Sequence, residues 1–334
     1  MQVASVRGSP VRAGDLMPEV ERAFRREALP QPLELHELRH PQVPPELDGL
    51  TVLHLTDLHV TRARPHPDFV SQLVDAVSAI EVDLVCLTGD YMTHKGDEEA
   101  ALAALRRISA AWRTRFGAFG VFGNHDSAEL ETMCQGPRGI ANVTWLRNQV
   151  ARVRAFAAAP DGASASAPGP GSSTALGAGV EFDLIGCSYP EDILAALLDM
   201  NSDQPQRSPA SWGGVRLPSP PRRFALTLVH YPSEAWPLGE CGLPLALCGH
   251  THGGQIRLSR HRAPHTSTDL PGSVASGLFR VRDSLVACSR GVGDTLLNLR
   301  INCPPQAPVY VLRRGELPPL RGENYLKLSV VEAW

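Results

Sequence analysis

The chain has 334 residues, 43% of them hydrophobic, and a formal charge of −3. That length suits one large α/β domain or two small ones, and the charge gives no broad basic field of the kind that dominates nucleic-acid affinity. The seven cysteines, Cys86, Cys134, Cys187, Cys241, Cys248, Cys288 and Cys303, form an odd set with no CxxC spacing, which argues for a reducing compartment.

Residues 1–47 read as a leader in which Glu19 to Leu29 forms a short helix with Val20, Ala23 and Phe24 on one side. A packed or frayed segment fits it better than a bilayer contact. Arg25-Arg26 is followed by Glu27, Pro30 and Pro32 where an export signal needs an apolar run, so a twin-arginine signal is rejected. With no signal-peptide apolar region and no run of roughly 18 apolar residues, a cytoplasmic protein is expected.

A single domain is expected from 48 to 314. Val52 to Thr56 reads as a buried strand ending at Asp57-Leu58-His59, and Asp68 caps a helix carrying Phe69, Leu73, Val77 and Ile80 at helical spacing. Val82 to Thr88 is a second strand, ending at Gly89-Asp90, and Asp97 precedes a helix bearing Leu102, Leu105, Ile108 and Trp112. Ala118 to Phe122 is a third strand, ending at Gly123-Asn124-His125-Asp126. The result is a βαβαβ opening with a parallel sheet and right-handed crossovers.

Residues 157–179 are rich in Ala, Gly, Ser and Pro, cannot form a core, and read as a flexible surface insertion. Strands follow from Val180, from Phe224 to Val229 ahead of His230, and from Leu245 to Cys248 ahead of Gly249-His250-Thr251-His252. Gly277 to Arg282, Ser284 to Ser289 and Val309 to Arg313 extend a second sheet, and 315–334 is a tail of unassigned role.

Taken singly, these motifs have ordinary explanations. Asp57 and Asp90 suit helix caps, His230 a core histidine, and Gly249, Gly253 and Gly254 a tight turn. Taken in order, they describe a metal site. Side chains two apart on an extended segment share a face, so Asp57 with His59, and His250 with His252, each present a pair of donors. Carboxylate, imidazole and amide oxygen suit Mn²⁺, Fe or Zn²⁺. All the donors follow strand ends, where open α/β sheets bind ligands.

The ordered set resembles the calcineurin-like metallophosphoesterase superfamily over residues 48–314. Thr56-Asp57-Leu58-His59, the block from Gly249 to Ile256, Ser289-Arg290-Gly291 and Asn302-Cys303-Pro304-Pro305 resemble a bacterial branch of small, often membrane-associated phosphodiesterases. The resemblance implies an α/β fold of two stacked sheets with helices outside, in α/β/β/α layers. It implies one ion on Asp57, His59 and His252, a second on Asn124, His230 and His250, and Asp90 bridging both. It also implies a hydroxide between ions roughly 3.5–4 Å apart that attacks phosphorus in line. His125 would face the leaving-group oxygen as general acid or as a positive stabiliser.

Two departures stand out. Thr93 occupies the place where the protein-phosphatase branch has a carboxylate that orients the catalytic histidine, leaving the partner of His125 open, and Asp126 replaces that branch's Glu. The chain also lacks the arginine that branch places soon after Gly89-Asp90, which disfavours a protein phosphatase. Asp126 is expected outside the ligand set. Arg62, Arg64 and Arg290 are candidates for a phosphate oxygen, while His54, His66, His94, His261 and His265 suit surface or structural roles.

The expected activity is hydrolysis of a phosphodiester, with a phosphomonoesterase or nucleotide pyrophosphatase as the alternative. A noncatalytic scaffold or a stapling metal site is the remaining reading. The branch's membrane association favours a lipid-linked substrate over a cyclic nucleotide; peripheral membrane contact is compatible with the sequence, while the expected lack of the N-terminal anchor often seen in that branch is a departure that counts against membrane attachment. No protein partner is readable.

Overall fold

Runs that are apolar throughout, bounded by turns, become strands covered on both faces, and this chain supplies enough of them for two sheets. The computed structural model describes residues 11–12, 29–64, 68–155, 179–189, 211–212, 215–216, 223–259, 263–268, 272–295, 299–317 and 329–332. The expected helix at Glu19 to Leu29 apart from its last residue, the insertion 157–179 apart from its last residue, His66 and His261 lie outside them.

In chain order the sheet strands are β1 (Leu33–His40), β2 (Thr51–Leu55), β3 (Leu84–Thr88), β4 (Ala118–Val121), β5 (Val143–Trp145), β6 (Gln149–Ala155) and β7 (Val180–Gly186). They continue with β8 (Ala225–Leu228), β9 (Leu245–Cys248), β10 (Gly277–Val281), β11 (Ser284–Cys288), β12 (Ala307–Arg314) and β13 (Ser329–Glu332). The helices are α1 (Asp68–Ser78), α2 (Glu98–Ser109), α3 (Ala128–Gln135) and α4 (Ala235–Glu240).

The first sheet runs β1-β12-β2-β3-β4-β5 and the second β13-β10-β11-β9-β8-β7-β6. Strands β2, β3 and β4 are mutually parallel, as are β7, β8, β9 and β11. Alternation of side chains across each strand then sorts the core into three slabs. Leu53, Leu55, Val85 and Leu87 face the helices, packing with Val70, Leu73 and Val77 of α1 and Leu105 and Ile108 of α2. Val52, Leu84 and Cys86 face the other way, meeting Leu226, Leu228, Leu245 and Leu247 of the second sheet. Ile185, Ala225, Ala246 and Val286 form the outer face of that sheet beneath Leu238 of α4. The fold is therefore the expected α/β/β/α arrangement. Each fully buried leucine or valine contributes roughly 1.5–3 kcal/mol.

Several local details differ from expectation. Helix α1 stops at Ser78, so Ile80 opens the two-residue strand Ile80–Glu81 instead of extending the helix. The chain must turn there to reach β3, and the Val82 N–H donates to Arg113 O at 3.1 Å. Trp112 lies past the end of α2 yet joins the same slab. Asp97 stands at the N-cap of α2, but its carboxylate accepts the N–H groups of Arg62 and His94, tying two loops together.

The leader and the tail each supply a strand that sequence patterning did not show. β1 pairs in parallel with β12 through all eight of its residues, from Leu33↔Ala307 to His40↔Arg314, and β13 pairs with β10. Strands β5 and β6 were likewise not anticipated. Among the described residues no helix is long and apolar enough to cross a membrane.

Candidate metal centre

Beyond the last residues of β2, β3 and β9, five of the expected ligands adopt left-handed backbone: Asp57 (φ 53°), His59 (45°), Asp90 (57°), His250 (70°) and His252 (52°). Such conformations cost a non-glycine residue on the order of 1–2 kcal/mol each, and hydrogen bonds between the loops hold them in place. The Asp57 N–H donates to Gly89 O at 2.9 Å, His59 N–H to Asp90 O at 3.0 Å and Val60 N–H to Tyr91 O at 3.0 Å.

Glycines allow the close approach. A Cβ on Gly123 would strike Asp90 Oδ1, and one on Gly249 would strike Asp57 Oδ2 and Thr56 Oγ1. Gly249 is thus required by proximity to Asp57 rather than by the turn alone.

Three triads gather ligand atoms within 4.8 Å of one another: Asp57, His59 and His252; His59, Asp90 and His125; and Asp90, His230 and His250. Asp90 belongs to two of them. His252 Nε2 lies 3.3 Å from Asp57 Oδ1, His59 Nε2 lies 3.4 Å from Asp90 Oδ2, and His230 Nε2 lies 3.1 Å from the same oxygen. The first two contacts are too poorly directed to be hydrogen bonds, since both ring nitrogens of His59 and Nε2 of His252 are buried without one among the described residues. Asn124 Oδ1 is also buried with no hydrogen-bond partner among the described residues. Each orphaned polar atom costs roughly 1–3 kcal/mol. Their convergence on two carboxylates is the arrangement that divalent cations would satisfy.

The remaining histidine nitrogens are anchored. His230 Nδ1 donates to Thr88 O at 2.7 Å and His250 Nε2 to Ser267 O at 2.9 Å, leaving His230 Nε2 and His250 Nδ1 3.3 Å apart at the centre. Burial opposes charge here, but the Asp90 and Asp57 carboxylates overcome it and raise His230 to about 10. The reciprocal effect of His230 and His59 on buried Asp90 holds that carboxyl well below its usual range. Burial raises Asp57 and, with His59 and Arg300 adding to it, depresses His252 well below the imidazole range. His250 falls to about 4 through burial and the neighbouring His230. A proton on His230 therefore balances charge where a cation would otherwise do so.

His125 has the orienting partner that its side-chain neighbours did not reveal. Its Nδ1 donates to the main-chain carbonyl of Thr93 at 2.8 Å, while its own N–H donates to Asp90 Oδ1 at 2.9 Å. The Thr93 hydroxyl instead bonds His59 O at 3.0 Å. Asp126 accepts the N–H groups of Asp90, Tyr91 and Gly123, each at 2.8 Å, and so fastens two ligand loops together. Burial, reinforced by Asp90, raises its pKa to about 7.

The centre opens into a cleft of about 490 Å³ lined by His59, Asp90, His125, His250 and His252, with Arg64, Phe69, His94 and Asp294 around it. Arg64 stands there, whereas Arg62 and Arg290 do not line the cleft. The Arg290 guanidinium is buried 2.6 Å from Glu34 Oε1 and donates to Pro304 O at 2.9 Å. His94, expected to be a surface residue, is exposed and lines the cleft. His54 is buried within β2, bonded to Thr88 Oγ1 at 2.8 Å, and burial lowers it to about 3. Arg300, which sequence patterning did not single out, lies 3.4 Å from His252 Nδ1.

A family model described as calcineurin-like phosphoesterase matches residues 50–254. The chain is similar to the uncharacterized metallophosphoesterase YkuE of Bacillus subtilis, with 23% identity over 281 residues covering 83% of this chain and 84% of that protein. It is also similar to the phosphodiesterase YaeI of Escherichia coli, with 28% identity over 267 residues covering 78% and 81%. A solved structure titled GAP50 the anchor in the inner membrane complex of Plasmodium aligns at TM-score 0.37 and 10% identity, covering 77% of this chain and 76% of that one.

Proposed function

Because the chain belongs to the calcineurin-like phosphoesterase family, we propose that it is a phosphodiesterase working with two divalent ions. The observation that carries this reading is Asp90, whose carboxylate sits in both the triad with His59 and the triad with His230 and His250. Asp57, His59 and His252 would hold one ion, Asn124, His230 and His250 the other, and Asp90 both. The donor set suits Mn²⁺, Fe or Zn²⁺. Bound there, the ions would supply an activated water and neutralise charge on the phosphoryl oxygens.

His125 would act on the leaving-group oxygen. With Nδ1 donating to Thr93 O, Nε2 would give a proton or a hydrogen bond to that atom only as the imidazolium, since a neutral ring so anchored carries no hydrogen there. Arg64, at the cleft, would bind a non-bridging oxygen or a second charged group of the substrate. The preference for a diester is supported by the resemblance to the phosphodiesterase branch and by the name of the Escherichia coli relative.

A lipid-linked diester and a cytoplasmic location with peripheral membrane contact complete the proposal. The branch resemblance supports the first, and the free, buried state of all seven cysteines supports the second. The catalytic unit we infer centres on 48–314, with β1 and β13 adding a strand to each sheet.

Metal content by mass spectrometry, together with hydrolysis of bis-p-nitrophenyl phosphate and p-nitrophenyl phosphate in Mn²⁺, tests the function. About two ions per chain with diester preference is the expected outcome. Monoester preference would replace the diesterase reading, and a metal-free, inactive chain would overturn it.

A further inference from the structure

Residues 289–295 and 299–306 carry none of the expected ligands and lie beyond the matched region 50–254, yet they brace one half of the centre. The Gly293 N–H donates to Asp57 O at 2.8 Å, and a Cβ on Gly291 would come within 2.6 Å of Asp57 Cβ. The chain from 291 to 293 is therefore pressed against the Asp57 turn.

Arg300, with its side chain only 7% exposed, ties that stretch to His252. Its Nη2 donates to Arg290 O at 3.0 Å and to Gly293 O, and its Nη1 reaches His252 O and Cys303 O at 3.4 Å each. Nε donates to Asp294 Oδ1 at 2.8 Å, which fixes the plane of the guanidinium. One rigid, planar cation with five donors thus links carbonyls on both sides of the Asp57 contact to the carbonyl of His252. Asp57 and His252 both have left-handed backbone, so each needs such external support.

We propose that Arg300 is a positioning residue that sets the spacing of Asp57 and His252, and that it acts on the ion they would share with His59 and not on the other. The proposal rests on the dinuclear reading above. The other half has its own ring anchors: Thr88 O and Ser267 O orient the rings of His230 and His250, and although the His250 N–H also donates to the Asp57 carboxylate, Arg300 bonds neither His230 nor His250 among the described residues. A lysine at 300 could not replace it, because a compact ammonium on a flexible stem has three donors and cannot serve all four carbonyls and Asp294 at once.

The test is calorimetric titration of Mn²⁺ into the metal-free full chain and into Arg300→Gln, Arg300→Lys, His252→Asn and the Arg300→Gln/His252→Asn double variant. Thermal melting of each metal-free protein accompanies it. Arg300→Gln is expected to raise the Kd of one of the two ions by roughly 10–100-fold, with Arg300→Lys recovering a small part. His252→Asn should weaken the same ion, and the double variant should bind it no more weakly than His252→Asn alone, the mark of two residues acting through one contact.

Unchanged affinities, an additive double variant, or equal weakening of both ions with a lower metal-free melting temperature would overturn the proposal. The last pattern is what a merely scaffolding arginine would give. A wild-type chain that takes up a single ion would overturn the dinuclear reading, and the same variants would still decide the role of Arg300. Weakening with non-additivity on that ion supports it; no effect overturns it.

Discussion

The two halves of the centre are built from similar donors but held in different ways. In the half formed by Asp90, His230 and His250, each histidine gives its outer nitrogen to a main-chain carbonyl, Thr88 O or Ser267 O. In the half formed by Asp57, His59 and His252, neither nitrogen of His59 has a hydrogen-bond partner among the described residues and the outer nitrogen of His252 faces the Arg300 guanidinium. A carbonyl fixes a ring locally, through the strand end that carries it. A guanidinium fixes whole turns, through several carbonyls distant in sequence. The first half should therefore be set by its own strands, and the second by packing of the C-terminal segment.

The largest test of this contrast is Asp90→Asn, which removes the group common to both halves. Metal content should fall for both ions, and turnover by more than the roughly 10–100-fold typical of residues that only orient ligands. Retention of two tightly bound ions would contradict the shared role. Next in size is His125→Ala, expected to lower turnover about 10²–10⁴-fold while leaving metal content nearly intact; full activity in this variant would remove His125 from the mechanism.

Gly291→Ala separates the halves. Its Cβ would come within 2.6 Å of Asp57 Cβ, so the Asp57 ion should weaken, with a stability loss of about 1–3 kcal/mol from overpacking. Thermal melting and metal titration read the two effects separately, and equal weakening of both ions would refute the selectivity.

The pH dependence of metal uptake divides them further. In the metal-free protein His230 titrates at about 10, so below that pH an ion entering its half must displace a proton, and binding tightens as pH rises. The gain should be about tenfold per pH unit between roughly pH 7 and 9. His252, depressed well below the imidazole range, is already neutral there, so the other ion should show a shallower slope. Two equal slopes in calorimetry would argue against the assignment. The smallest effect is expected for Thr93→Ala, which loses one hydrogen bond to His59 O but keeps the carbonyl that orients His125. Its cost should stay near ~1 kcal/mol in turnover or stability, and a collapse of activity would show that the hydroxyl matters more than the carbonyl.

Much of the fold was legible because apolar runs and their punctuation are local. The strands at 51–55, 84–88 and 245–248 and the two opening helices follow from such runs. β1 was harder to see because Glu34, Glu37 and Arg39 interrupt its leucines, and only pairing with β12 makes it a strand. The candidate ligands were legible for a related reason: Asp57, Asp90, Asn124, His230 and His250 all follow strand ends, and parallel order sends those ends to one edge.

What the sequence by itself determined was the inventory, meaning donors of the right hardness in an order that parallel strands gather together; the expected extended face does not form, because Asp57, His59, His250 and His252 all have left-handed backbone. Tertiary structure alone decided how they are held. The acceptor for His125 is a main-chain carbonyl, which residue identity does not reveal, since all residues carry one. The clasp made by Asp126, the diversion of Arg290 to Glu34 and the reach of Arg300 to His252 all depend on long-range packing. Such contacts have no period or spacing along the chain, so they emerge only when the folded sheets bring distant segments together.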